Sequence, residues 1–207
     1  MIDLTTLIIF IPTFFLVSLT PGMCMTLAMT LGMSIGIRKT LWMMYGELLG
    51  VAIVAISSVI GVSAIMLNSP ITFTILKMFG ALYLLYIGIN MWRSKGKLAI
   101  SSDKKINIKI NKSFLFQQGF LTAIANPKGW AFMISLLPPF INTSYALPTQ
   151  LVALIGVIVI SEFSCMMLYA AGGKSIGRLL VRQDNVKLLN KISGSLMIFV
   201  AIWLAVS

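Results

Sequence analysis

The sequence predicts an all-α integral membrane protein whose six transmembrane helices form two inverted three-helix repeats. Three observations carry that expectation. Six stretches of about twenty mostly apolar residues fill most of the 207-residue chain, and about 20 apolar residues of helix cross roughly 30 Å of hydrocarbon. Basic residues gather in alternate connections. Landmarks of the first half recur in the second at a nearly constant offset. Composition agrees: the chain is 58% hydrophobic and 10% charged, with mean hydropathy +0.99, whereas a soluble domain carries about 25% charge.

The spans follow in order. The first, 4–31, is apolar except where Leu19-Thr20-Pro21-Gly22 interrupts it. The second, 41–67, carries Glu47 and ends at the uncharged turn Asn68 to Ile71. The third, 72–92, runs into the basic segment 93–112. The fourth, 114–140, is interrupted by Ala125-Asn126-Pro127-Lys128-Gly129; the fifth, 146–172, carries Glu162; the sixth is 187–206. One transmembrane domain, 1–207, is expected, with halves of about 1–92 and 113–207 joined by the basic loop 93–112. With hydrophobic drive between helices removed by lipid, packing and interhelical hydrogen bonds must hold them. Gly32 with Gly36, Gly46 with Gly50, and Gly173 with Gly177 have the spacing for close helix contact.

The net charge of +11 is explained by topology without nucleic acid as a partner. Fourteen of the sixteen basic residues follow the first span (Arg38, Lys39), the third (Arg93 to Lys112) or the fifth (Lys174 to Lys191). The turns after the second and fourth spans carry no charge. Positive residues mark the cytoplasmic side, so both termini are expected outside, and the basic loops can also meet anionic lipid headgroups. The N-terminus carries Asp3 rather than the basic start of a cleavable signal, so the first span is expected to be retained. Cys24 and Cys165 lie within spans, which argues against a secreted disulfide framework.

Lys77 to Leu82 in the third span matches Lys191 to Leu196 in the sixth, 114 residues on, and Glu47 matches Glu162, 115 on. Pro21 and Pro127 recur at the looser offset of 106. Each half holds an odd number of spans, so duplication would leave the halves oppositely oriented, as in many secondary transporters.

Proline removes a backbone donor and clashes with the preceding turn. Both interruptions, about 15 to 20 Å from the basic ends at about 1.5 Å per residue, fall near the midplane. Broken helices at that depth are tolerated only beside protein or water, and half-helix N-termini near Gly22 and Gly129 favour an anionic group such as a carboxylate. Packed proline kinks are the plainer alternative. Charges inside a bilayer are expensive, so Glu47, Lys128 and Glu162 should face a cavity or partners. Lys128 and Glu162 can pair with each other, and Glu47 with Arg38 or Lys39. Alternatively, Glu47 or Glu162 gains and loses a proton as the cavity switches sides.

Fourteen methionines, Met23, Met25 and Met29 around Cys24 among them, raise a soft-metal path, but methionine at helical spacing is usually adaptable packing. No histidine exists in the chain, which removes the usual zinc ligand and acid-base group. Tyr45, Tyr83, Tyr86 and Asn90 are cavity candidates, and Trp92 and Trp203 interfacial anchors. Ser161 beside Glu162 makes no nucleophile–base pair. No enzyme activity, cofactor or resident metal is expected.

Thr20-Pro21-Gly22, the run Leu76 to Gly88 and Asn126-Pro127-Lys128 together resemble the lysine exporter and homoserine/threonine exporter (LysE/RhtB) family of bacterial membrane transporters. Their order and spacing cover the whole chain. The family often continues Pro-Gly-Pro where Pro21-Gly22-Met23 stands, and often has Asp at Glu47. The resemblance implies efflux of amino acids or close derivatives across a bacterial inner membrane, driven by the proton gradient. The expected substrate site is Pro21, Gly22, Asn126, Pro127, Lys128 and Gly129, with Glu47 or Glu162 holding the coupling proton. Expected partners are an amino acid, protons and membrane lipids; a homo-oligomer is left open. The rival expectations are a cation or metal exporter using Glu47, Glu162, Cys24 and Met25, and a non-transporting scaffold docking an acidic partner through 93–112.

Overall fold

A computed structural model describes residues 4–93, 111–141, 145–173 and 183–206. Among these the fold is helical throughout, without strands. The helices are α1 (Leu4–Leu19), α2 (Met23–Ile35), α3 (Ile37–Asn68), α4 (Pro70–Arg93), α5 (Lys112–Ile124), α6 (Pro127–Leu136), α7 (Leu147–Ala171) and α8 (Gln183–Val206). A single 3-10 turn, Pro138–Phe140, follows α6. Most of the basic loop 93–112, together with Lys174, Arg178, Arg182 and Gly177, lies outside the described residues, as do the side chains of Lys77 and Trp203.

The expected first span is the pair α1–α2, bent by 59° at the break; the expected fourth is α5, α6 and the 3-10 turn. Two boundaries differ from expectation. Arg38 and Lys39 belong to the first turn of α3, and the connection shrinks to Gly36, whose φ of +81° is a backbone that glycine adopts without strain. Gly36 is therefore the turn itself and has no neighbour for a side chain to meet. At the other end Pro70 starts α4 one residue after Ser69, a first-turn position where its missing amide costs nothing. Among the described residues, two helices, across Ile37–Gly61 and Leu147–Ala171, are long and apolar enough to cross a membrane, and the bent pair α1–α2 is a third if counted as one span.

Each broken helix packs on a long unbroken one: α5 and α6 on α3, α1 and α2 on α7, while α4 lies along α8. The α3–α5 contact explains Gly46 and Gly50. A Cβ at Gly46 would overlap the Phe116 carbonyl oxygen, and one at Gly50 would lie 2.7 Å from the Ala123 Cβ. Gly119 on the facing helix backs onto the Met43 carbonyl in the same way. Contacts that advance together along both chains mean that α3 and α5 run in the same direction, with backbone close to backbone as small residues permit.

Two apolar clusters fill the interior. One contains Phe10, Phe14, Val54, Phe132, Leu136 and Phe140. The other is methionine-rich, with Met25, Met29, Met43, Met44 and Met166 around Cys165, the gap-filling use of a flexible thioether. Trp92 fastens α4 to α8: its Nε1 donates to Ser195 Oγ at 3.1 Å and Lys191 Nζ stands 5.1 Å from its ring centre.

Gly46→Leu should lower the stability of the detergent-solubilised protein by about 1 to 3 kcal/mol through overpacking, read as a fall in thermal midpoint. Gly61→Ala, where nothing lies within 4 Å, should leave it unchanged or raise it, since alanine favours helix by about 0.5 to 1 kcal/mol. Equal effects at the two positions would contradict the close α3–α5 approach.

Candidate functional site

Pro21 has no amide to offer the Val17 carbonyl, and α1 ends at Leu19. The freed carbonyl is recovered locally: Thr20 N donates to Val17 O at 3.2 Å, and the Thr20 hydroxyl donates to the same oxygen. Leu19 O is also reached from another helix, accepting from Tyr169 OH on α7 at 3.0 Å. Beyond the break α2 starts at Met23 with Gly22 in the capping position and no side-chain cap. The positive end of α2 is thus open.

The second break repeats this chemistry. Pro127 cannot serve the Ala123 carbonyl, which accepts from Asn126 N at 3.2 Å, and Ile124 O accepts from Trp130 Nε1 at 2.8 Å. Proline then opens α6, and Asn126 caps it, its Oδ1 accepting from Lys128 N at 3.2 Å. Asparagine is among the best residues for that position.

The two breaks meet. Lys128 Nζ donates to Thr20 Oγ1 and lies 5.8 Å from the Phe132 ring centre; a Cβ placed on Gly22 would stand 3.9 Å from that nitrogen. Asn126 Nδ2 approaches Cys24 Sγ at 3.9 Å. Between them is a cavity of about 60 Å³, room for a few water molecules. Its polar wall includes Thr20, Cys24, Glu47, Asn126, Lys128 and Glu162, and its apolar wall includes Phe14, Val54 and Phe132.

The charged groups inside it are held apart. Glu162 Oε1 accepts from Ser18 Oγ at 2.9 Å, while Lys128 is engaged by Thr20. Lys128 and Glu162 form no ion pair; the pair among the described residues is Lys187–Asp184, 3.3 Å, on α8. Glu47, 1% exposed, is not paired with Arg38 or Lys39 either. Its Oε2 is buried with no hydrogen-bond partner.

Of the expected substrate residues, Gly22, Asn126, Lys128 and Gly129 line this cavity, as do Glu47 and Glu162. Pro21 and Pro127 do not; they create the breaks that the others occupy. Tyr45, Tyr83, Tyr86 and Asn90 stand outside it. Sequence reasoning missed Ser18 and Tyr169, and took Thr20 only as part of a motif. Ser18 and Thr20 were visible as hydroxyls in an otherwise apolar run beside a proline. Tyr169 sits 150 residues from its carbonyl partner, and no sequence signal joins them. For the metal reading, Cys24, Met25, Glu47 and Glu162 do share the cavity, yet no group of three or more His, Cys, Asp or Glu among the described residues can hold an ion.

A cavity lined by one lysine and two glutamates where apolar helices break fits a membrane transporter. Comparison with known proteins narrows the class: residues 15–207 match the LysE type translocators, and the chain belongs to that family. It is a transporter, not an enzyme. It is 28% identical over 190 residues to the homoserine/homoserine lactone efflux protein of Salmonella typhi, covering 92% of this chain and 91% of that one. The leucine efflux protein of Enterobacter sp. (strain 638) is 26% identical over 193 residues, 92% and 90% of the two chains. An uncharacterized membrane protein of Vibrio cholerae is 28% identical over 179 residues, 86% of each. No solved structure matches.

Asn126→Ala should remove the α6 cap and the contact with Cys24, lowering stability by about 1 kcal/mol; Asn126→Asp, which keeps the cap acceptor, should recover most of it. Thermal unfolding in detergent checks this. Equal midpoints for Asn126→Ala and the unchanged chain would remove the cap from the account of the break.

Proposed function

We propose that this protein exports amino acids or close derivatives from the cytoplasm across a bacterial inner membrane, in exchange for protons. The observation that carries the reading is the pairing state of the cavity: a lysine and two glutamates face one small space, Lys128 and Glu162 each held by a neutral hydroxyl and Glu47 Oε2 without a partner, with no ion pair among them. A zwitterion is the ligand whose charges match this set of groups. Its carboxylate would take Lys128 and the uncapped start of α2 at Gly22, with Asn126 and Gly129 beside it. Pro21 and Pro127 hold the backbone that presents these groups. The ammonium would take Glu162 or the unpartnered oxygen of Glu47, and the other acid would carry the proton for the return half of the cycle.

Six spans in two inverted triplets, with both termini outside, are the architecture in which we place this site. In its favour, α5 and α6 of the second half pack on α3, and α1 and α2 of the first half pack on α7, a reciprocal exchange in which each broken helix sits on an acid-bearing long helix. The aligned glycines of the sequence repeat have different neighbours, Gly194 backing on Gly88 and Gly80 on Ser135; helix exchange, rather than that motif, supports the halves. The efflux proteins among its relatives make amino acids the first substrates to try.

Counterflow of common amino acids in proteoliposomes tests the reading. Lys128→Ala and Glu162→Gln should each lower flux of the active substrate by about ten- to a hundredfold, the loss of one charge-assisted hydrogen bond of about 1.5 to 3 kcal/mol, with membrane insertion intact. An imposed pH difference should drive net flux of the unchanged chain, and Glu47→Gln or Glu162→Gln should abolish that drive while leaving exchange measurable. Wild-type flux by Lys128→Ala and Glu162→Gln sinks the roles assigned here.

A further inference from the structure

Several helical hydroxyls among the described residues turn back on their own helix. Those of Thr13, Thr30, Ser34, Thr40 and Thr122 each donate to the carbonyl four residues earlier, at 2.7 to 3.0 Å. Two buried serines do not. Ser58, 4% exposed, and Ser135, 3% exposed, have hydroxyl oxygens with no partner. A buried hydroxyl without a partner forfeits the hydrogen bonds it had with water, and the carbonyl of its own preceding turn is the usual remedy. Both lie in the apolar interior, where serine adds nothing to packing.

Their positions supply the reason. On α3, Glu47, Val51 and Val54 line the cavity at helical spacing of four and three residues; Ser58, four further on, is the next position on that face. On α6, Lys128 and Phe132 line the cavity, and Ser135 is the next position on the same face. On α1, Phe14 lines it and Phe10 lies one turn beyond. All three faces continue toward one end of the bundle. α3 and α6 run away from Arg38 and Lys112, and the Phe10 ring meets the Phe140 ring, just after α6, with centroids 4.9 Å apart. Toward that end the apolar side chains of Phe10, Phe14, Val54, Phe132, Leu136 and Phe140 pack in one buried cluster. Ser135 has room there because α4 presents Gly80 to it: a Cβ at Gly80 would collide with the Ser135 hydroxyl.

We propose that Ser58 and Ser135 line the exit path of the exporter, shut in this conformation, along which the substrate leaves the cavity toward the face opposite the basic loops. The proposal rests on the export reading for the direction of travel. When the aromatic side chains part, water and the polar ends of a zwitterion reach both hydroxyls, which gain the hydrogen bonds they lack in the closed form. The missing bonds raise the closed form relative to the open one, so the two serines narrow the gap that the substrate must bridge. An entirely apolar closure would seal the path more firmly and open it more rarely.

The test labels Ser58→Cys and Ser135→Cys in intact cells with a membrane-impermeant thiol reagent. Both are made in a Cys24→Ser, Cys165→Ser chain, which sets the background, because Cys24 lines the cavity onto which the path opens. Both variants should label several-fold above it, and inside-out vesicles should label less. Val59→Cys, 1% exposed but off the cavity-lining face, should stay at background. Labelling of neither serine position above Val59→Cys overturns the proposal. Ser58→Ala and Ser135→Ala should insert normally and each lower the maximal counterflow rate about tenfold, the equivalent of one lost hydrogen bond, with half-saturation unchanged; wild-type rates in both also overturn it. Absence of amino-acid flux in the unchanged chain sinks the export reading alone, because labelling reports the opening of the path without any measurement of flux.

Discussion

Two prolines, at 21 and 127, take away backbone donors inside helices that are otherwise apolar, and a carbonyl left bare in such surroundings costs several kcal/mol. The arrangement of the interior follows from how those carbonyls are recovered. Near each break the chain tightens by one residue, Thr20 N to Val17 O and Asn126 N to Ala123 O. An aromatic donor then satisfies a further carbonyl, Tyr169 for Leu19 and Trp130 for Ile124. The first of those donors comes from α7, so the break in α1 also fixes where α7 must stand. That places Glu162, seven residues before Tyr169 on the same helix, beside Ser18.

The second consequence concerns the half-helices that follow the breaks. A glycine before α2 and an asparagine before α6 start new helices whose first turns face the same hollow. The asparagine satisfies its own helix, whereas the glycine leaves α2 uncapped. The two sites are thus alike in backbone and unlike in chemistry: one offers amides, the other an ammonium held by Thr20. Close approach of α5 to α3, allowed by Gly46 and Gly119, brings Glu47 to the same space from the opposite wall.

Helical content, the two breaks and the acids were legible in the sequence, because apolar run length and proline act locally and leave marks at single positions. The convergence of Gly22, Asn126, Lys128, Gly129, Glu47 and Glu162 on one cavity was legible too, since expensive groups in apolar helices have few places to go. Three features were not. The Gly36 turn looked like a packing glycine because spacing alone cannot tell a left-handed φ from close contact. The pairing of Lys128 with Glu162, one of the two arrangements the sequence leaves open, does not form, because the hydrogen bonds to Ser18 and Thr20 depend on how α1 is rotated against its neighbours. Tyr169 and the bare hydroxyls of Ser58 and Ser135 depend on tertiary packing, which leaves no periodic trace.

The separation of Lys128 from Glu162 is itself a physical problem, since opposite charges in a medium of low dielectric attract strongly. A contact ion pair would be the compact answer, and it would also consume both groups that a zwitterion needs. Ser18 and Thr20, two residues apart at the end of α1, each bind one of the charges and keep them from collapsing together. Hydrogen bonds from or to one charged group, as here, are worth about 1.5 to 3 kcal/mol, and a bond between two opposite charges adds their mutual attraction. On the export reading, a bound amino acid therefore replaces two weaker bonds with two stronger ones, and the difference is what the substrate contributes toward moving α1. Because both hydroxyls ride on the same turn, releasing them together leaves that end of α1, with Phe14 and Phe10 on the same helix, tethered through Tyr169. On the export reading, substrate occupancy and the packing of the apolar end are joined through this short piece of helix and through Phe14, which lines the cavity.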